Sequence, residues 1–185
     1  MRVDDGNGTD RMSERSVEAG AGAGQEERAG LPAENVGDYP RPPSLEWVDW
    51  PIEVVLGGAR IVAAPGAWRV LETFHPPTYY IDPAHIADGA LRPVGGGSLC
   101  EWKGRARYFD VVAGGRTAQR AAWSYPSPTR RFEAIRDHVA IYAHAMDEAS
   151  VAGVRVIPQP GDFYGGWTTP NVTGPIKGAP GTTHW

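Results

Sequence analysis

Two Gly-Gly pairs, Gly57-Gly58 and Gly114-Gly115, decide what this chain can fold into. Each stands between runs of strand-forming residues: 52–56 and 59–63 around the first, 108–112 and 116–123 around the second. A two-residue hairpin turn needs positive φ at its central positions, and glycine reaches those angles without a Cβ clash. Two tight antiparallel hairpins are therefore predicted. With 24 Gly and 17 Pro in 185 residues, about a fifth of the chain, most of the remainder must be turns, loops and short strands. A third strand is expected over 68–74, after the Pro65-Gly66 turn, followed by a proline-stiffened aromatic segment, 75–83, and a loop over 88–97. The recurrence of Gly-Gly in similar surroundings is too common a pattern to imply duplication.

The run Cys100-Glu101-Trp102-Lys103-Gly104-Arg105-Ala106-Arg107-Tyr108 reads as a strand. Alternation would place Cys100, Trp102, Gly104, Ala106 and Tyr108 on one face and Glu101, Lys103, Arg105 and Arg107 on the other. Of 18 basic residues only Lys103 and Lys177 are lysine, and each precedes a glycine. One helix is expected over about 128–148. Ser127 can cap it, Pro128 suits its first position, and Phe132, Ile135, Val139, Tyr142 and Met146 step at helical spacing. A short strand follows near 154–157.

Residues 1–35 carry eight acids and four arginines, no aromatics and the tract Ala19-Gly20-Ala21-Gly22-Ala23-Gly24, the composition of a disordered tail. The chain then reads as a single β-rich domain over 36–157. Residues 158–185 are an ordered C-terminal strap, too rich in Gly and Pro for regular structure and, with Phe163, Tyr164, Trp167 and Trp185, too apolar for a solvated linker. The fold class is mainly β, with small twisted antiparallel sheets and one helix in the C-terminal half.

Outside the tail, acids and bases balance at 14 each, and no basic run marks a nucleic-acid face. No apolar stretch reaches the roughly 20 residues of a membrane span. The N-terminus, whether Met1 or Met12, lacks the apolar core of a secretory signal, so a cytoplasmic protein is expected. One cysteine excludes a disulfide framework and a cysteine-based zinc site, and the five histidines show no ligand spacing, so neither metal nor cofactor is expected.

Several motifs together resemble the domain-of-unknown-function family 427: Val70-Leu71-Glu72-Thr73-Phe74-His75-Pro76-Pro77, Cys100-Glu101-Trp102-Lys103-Gly104, and Ala122-Trp123-Ser124-Tyr125-Pro126 with His138-Val139-Ala140-Ile141-Tyr142. The lead-in Asp38-Tyr39-Pro40-Arg41-Pro42-Pro43 and Phe163-Tyr164-Gly165-Gly166-Trp167 are similar to its longer members, so the resemblance covers about residues 36–185. It implies a mainly-β domain of the Mss4-like, tent-shaped kind with a helix near the C-terminus. A nucleotidyltransferase-like label sometimes attached to the family finds no support in these residues. There is no Gly-Ser motif followed by paired aspartates, and neither Gly95-Gly96-Gly97 nor Gly165-Gly166 opens a helix after a strand. Where the family usually has proline after the cysteine, this chain has Glu101.

Candidate site residues follow from chemistry. Glu72 is a carboxylate on an apolar strand face and needs a partner, either Lys103 or an arginine in a purely structural role. Lys103 can anchor a ligand charge, or be a solvated lysine on a strand face. Cys100 can be a nucleophile or a small buried hydrophobe. Glu72, Lys103 and Cys100 are thus the catalytic candidates. His75, Tyr80, Trp102, Trp123, Tyr125 and His138 are the ligand-binding candidates, supplying aromatic walls and a few polar groups. The leading expectation is a pocket for a small organic ligand anchored by Glu72 and Lys103. The alternatives are a small enzyme using Lys103, Cys100 or Glu72, and an interaction scaffold in which Phe163, Tyr164 and Trp167 form an exposed patch. Oligomeric state cannot be read from the sequence.

Overall fold

The computed structural model describes Met1 and residues 30–161 and 163–182. Order begins earlier than residue 36, because Leu31 is buried and Glu34–Asn35 forms a short strand, β1. The cause is electrostatic. Arg69, almost fully buried, donates to Glu34 at 2.8 Å and also pairs with Glu46, while the Tyr39 hydroxyl donates to Glu34. An acid that reads as tail is the counter-ion of a core arginine. Residues 2–29 of the expected tail, and Trp185 of the strap, lie outside the described residues.

Strands β2 (Ser44–Val48), β3 (Ile52–Leu56), β4 (Ala59–Ala64), β5 (Ala67–Glu72) and β6 (His75–Tyr80) follow. β3 and β4 form the first Gly-Gly hairpin, with φ of 58° and 73° at its two glycines. The expected third strand stops at Glu72, because Phe74 adopts φ 66° and turns the chain directly into β6. Pro76 and Pro77 fall where the β5–β6 register shifts, a place where a strand tolerates missing N–H donors.

Next come β7 (Leu91–Cys100), β8 (Gly104–Ala113) and β9 (Arg116–Ser124). Gly95-Gly96-Gly97 lies within β7, at a register shift, rather than in a loop. The expected strand over 100–108 is broken. Cys100 pairs with Gly104, and Glu101, Trp102 and Lys103 form the turn between them. Gly104 sits at φ 97°, a conformation that side-chain-bearing residues rarely adopt, so this glycine sets the reversal that alternation concealed. The second Gly-Gly turn forms as expected between β8 and β9. Its tip meets the first one: a Cβ on Gly114 would lie 1.9 Å from the Gly57 carbonyl oxygen.

The continuous helix over 128–148 does not form. The segment is a 3₁₀ turn (Arg130–Ile135), strand β10 (Val139–Ile141), a second 3₁₀ turn (Ala143–Ala145) and the start of β11 (Glu148–Val151). Val139, Ala140 and Ile141 are all buried, which a one-sided helix cannot provide, and β-branched Val139 and Ile141 pair along β9. Asp137 at φ 59° ends the preceding turn. The helical spacing was real, but tertiary pairing overrode it.

The remaining strands are β12 (Val154–Arg155), β13 (Ile157–Pro158), β14 (Trp167–Thr168) and β15 (Val172–Thr173). The protein is mainly β. Its larger sheets have the orders β10-β9-β8-β7, β12-β11-β3-β4 and β2-β5-β6. Reciprocal hydrogen bonds between Ile81 and Val139, at 2.9 and 2.8 Å, join the end of β6 to β10. The main core gathers Ile52, Val54, Leu56, Ile61, Val111 and Ile141. The C-terminal segment is part of this core. Trp167 is fully buried, donates its indole N–H to the Ile141 carbonyl at 2.9 Å and stacks at a tilt on Tyr79. Truncating such a side chain typically costs about 3–5 kcal/mol. β15 pairs in parallel with β1, so the two ends of the described fold hold each other. Among the described residues no helix is long and apolar enough to cross a membrane.

Candidate functional site

The β5–β6 turn, the β7–β8 turn, the end of β9 and the C-terminal segment converge around a cavity of about 360 Å³. Glu72 and His75 are register partners on either side of Thr73-Phe74, and both line it. Cys100, Trp102 and Lys103 come from the β7–β8 turn. Thr129 holds that turn, its hydroxyl donating to the Trp102 carbonyl at 2.6 Å and its N–H to the Lys103 carbonyl at 3.2 Å. Strand alternation would have put Trp102 and Lys103 on opposite faces; a turn is free of that restriction, and both line the cavity. Tyr80, Trp123 and Tyr125 complete the wall. Trp123 stacks against Tyr142 at 4.5 Å and leaves no room for a side chain at Gly165, where a Cβ would lie 2.1 Å from its ring.

Eight of the nine residues singled out from the sequence thus line one cavity. His138 does not. It follows the first 3₁₀ turn, half-buried, with Nδ1 at 3.1 Å from the Arg136 carbonyl oxygen, so its expected place on a helix facing the sheet is gone. Tyr164, expected on an exposed patch, lines the cavity too, as do Arg41, Gln159 and Lys177, three residues that were not among the candidates. Only Lys177 carried a signal, as the second lysine of an arginine-rich chain; both lysines of the protein meet here.

The charges are unevenly arranged. Glu72 pairs with Arg41 at 3.8 Å rather than with Lys103, and Arg41 also reaches Glu101 at 3.5 Å. Lys103 is only 9% exposed, yet no carboxylate lies within 4 Å of it among the described residues. Its ammonium stands over the Phe132 ring, 5.7 Å from the centroid. Lys177 stands over Tyr164 at the same distance, again without a carboxylate within 4 Å among the described residues.

The hydrogen-bond network fixes the state of His75. Gln159 accepts from the Gly166 N–H with Oε1 and donates to the Lys177 carbonyl with Nε2, which orients its amide. The second Nε2 hydrogen then points to His75 Nδ1, 3.0 Å away. Nδ1 is therefore the acceptor and Nε2 carries the proton. Burial, then the charges of Lys177 and Lys103, lower the His75 pKa to about 4, so the ring is neutral near pH 7. Burial also pushes the hydroxyls of Tyr80 and Tyr125 far above the usual tyrosine range, so both remain protonated. In the same wall the Trp102 indole N–H is buried without an acceptor among the described residues. Leu99 and Phe163, each 77% exposed, stand at the rim. Among the described residues no group of three or more His, Cys, Asp or Glu could hold a metal ion.

What these features define is a mainly-β domain with an aromatic-walled cavity lined by both of the protein's lysines. The family model described as domain of unknown function (DUF427) matches residues 44–152, more than half of the chain, and the protein belongs to that family. Arg41, Gln159 and Lys177 fall outside the matched span, so segments flanking the family domain complete the cavity. No curated protein matches the chain.

Proposed function

We propose that this protein binds a small organic molecule in the aromatic-walled cavity. The observation that carries the reading is the burial of Lys103, without a carboxylate partner among the described residues, in a cavity whose wall includes Tyr80, Trp123 and Tyr125. Such a combination is costly for folding alone and suits a ligand that offers both an apolar body and polar groups. About 360 Å³ lies in the range typical of small-molecule sites, roughly 300–1,000 Å³. Lys103 and the Arg41-paired Glu72 are the charged anchors, and His75 contributes a neutral N–H donor.

Binding is favoured over catalysis by the state of the polar groups. His75 has its acceptor nitrogen occupied and its other nitrogen protonated, so it is no general base. None of Glu72, Cys100 and Lys103 is hydrogen-bonded through its side chain to either of the others among the described residues, and the partner at the Cys100 thiol is the Tyr125 hydroxyl, which burial keeps protonated and so no base. The scaffold reading loses its patch, since Trp167 is buried and only Phe163 of the three aromatics is fully exposed.

The test is native mass spectrometry of gently purified protein, followed by a metabolite thermal-shift screen. A bound small molecule, or a compound that raises Tm by several degrees and quenches tryptophan fluorescence through Trp102 and Trp123, is the expected result. A broad screen without either would sink the proposal.

A further inference from the structure

Buried cations in folded proteins are normally neutralised by a carboxylate held close by, because desolvation of an unpaired charge costs several kcal/mol. The cavity breaks that pattern at one end only. At the Arg41 end two carboxylates, Glu72 and the exposed Glu101, share the one guanidinium of Arg41. At the other end Lys103 and Lys177 have none among the described residues, and Lys103 is nine-tenths buried. Both lysines contribute, after burial, to lowering the His75 pKa, so both ammonium charges act on the same ring. His75 itself brings no charge there, only a donor at Nε2, its Nδ1 being held by Gln159. Apart from Glu72, the cross-strand partner of His75, which is paired with Arg41, the polar side chains named around His75 are donors or cations.

We infer that the cavity's ligand is an organic anion, with a flat apolar body against the aromatic wall and one carboxylate or phosphate group facing Lys103, Lys177 and His75. This rests on the cavity being a binding site, as proposed above, and adds the chemical class. Aromatic walls by themselves would equally suit a cation, but two ammonium groups without a carboxylate among the described residues repel one. The apolar body is required as well, since Tyr80, Trp123 and Tyr125 offer little to a bare inorganic ion.

Matched probes separate the two readings. Benzoate, phenyl phosphate, benzamide, benzylamine and inorganic phosphate are titrated into the full chain at low salt, followed by calorimetry and tryptophan fluorescence. Benzoate or phenyl phosphate should bind at least about tenfold more tightly than the isosteric benzamide, because a charge-assisted hydrogen bond is about twice as strong as a neutral one. Benzylamine should be weakest of the aromatics, and inorganic phosphate weaker than phenyl phosphate. Whichever of benzoate and phenyl phosphate is tighter identifies the oxyanion.

Lys177→Met, on the half-buried C-terminal segment, and Lys103→Met should each cut the acid-over-amide preference to about threefold or less. The Lys177 variant keeps the test decisive if the buried Lys103 substitution fails to fold. Equal binding of benzoate and benzamide, a preference for benzylamine, or an acid preference untouched by either substitution overturns the anion and leaves the cavity a binding site. Failure of every probe at millimolar concentration overturns both readings.

Discussion

Arg69 and Lys103 are both buried cations on β-hairpins of one small domain, and their surroundings differ completely. Arg69, 6% exposed, is held by Glu34 and Glu46 and lies over the Trp50 ring at 4.7 Å. Lys103, 9% exposed, has an aromatic ring and no carboxylate within reach among the described residues. One charge is neutralised by the fold and ties its N-terminal edge to the β2-β5-β6 sheet. The other lines a cavity, with no carboxylate within 4 Å among the described residues. The comparison separates a cation that is architecture from one that is held for something else.

The largest expected effect comes from breaking the architectural site. Arg69→Met leaves Glu34 and Glu46 without their cation and should lower stability by about 3–5 kcal/mol in equilibrium denaturation. A loss below about 1 kcal/mol would place Arg69 in the same class as Lys103.

A smaller effect comes from pH. The folded His75 titrates near 4, depressed by burial, Lys177 and Lys103, against 6.5 for an ordinary histidine. Between those values the unfolded chain binds a proton that the folded ring refuses. This contribution to stability is complete above pH 6.5, falls as the pH drops towards 4 and then levels. A shift of this size would correspond to about 3 kcal/mol, reduced by solvent screening of a half-buried ring to about 2 kcal/mol. His75→Gln should flatten that part of the stability–pH curve, and an unaltered slope would show that the ring titrates normally.

The smallest stability effect is expected at Lys103. Lys103→Met removes a buried charge and strands no carboxylate among the described residues, so stability should stay within about 1 kcal/mol of the parent or rise. A loss above about 2 kcal/mol would mean that the fold depends on this charge as it does on that of Arg69.

The two regions also differ in how far they could be read from the sequence. The Gly-Gly hairpins were legible because positive φ at both turn residues is a local demand that glycine alone meets easily. The turn at residues 101–103 was hidden by a good alternation pattern, and only Gly104, at φ 97°, betrays it. Residues 128–148 carried a helical stripe, yet the burial of Val139, Ala140 and Ile141 on both sides is a tertiary fact that spacing cannot encode. His138 failed with that helix. Glu72, His75, Lys103 and the aromatic wall were found by their chemistry, a charge or donor set among apolar neighbours. Arg41 and Gln159 reach the cavity from flanking segments and carry no local mark. Glu34 was invisible for the same reason: its partner Arg69 is 35 residues away.

The central claim is that the charge of Lys103 is left uncompensated by the protein, and His75 is the built-in probe of that charge. Its imidazole pKa can be followed by NMR in the parent chain, Lys103→Met and Arg69→Met. The parent value should lie near 4. Lys103→Met should raise it by roughly half a unit to one unit, as removal of a nearby like charge requires, while Arg69→Met, whose charge is already paired, should leave it in place. An unchanged value in Lys103→Met would show that the ammonium is neutralised from within, and the case for a ligand anion would fall with it.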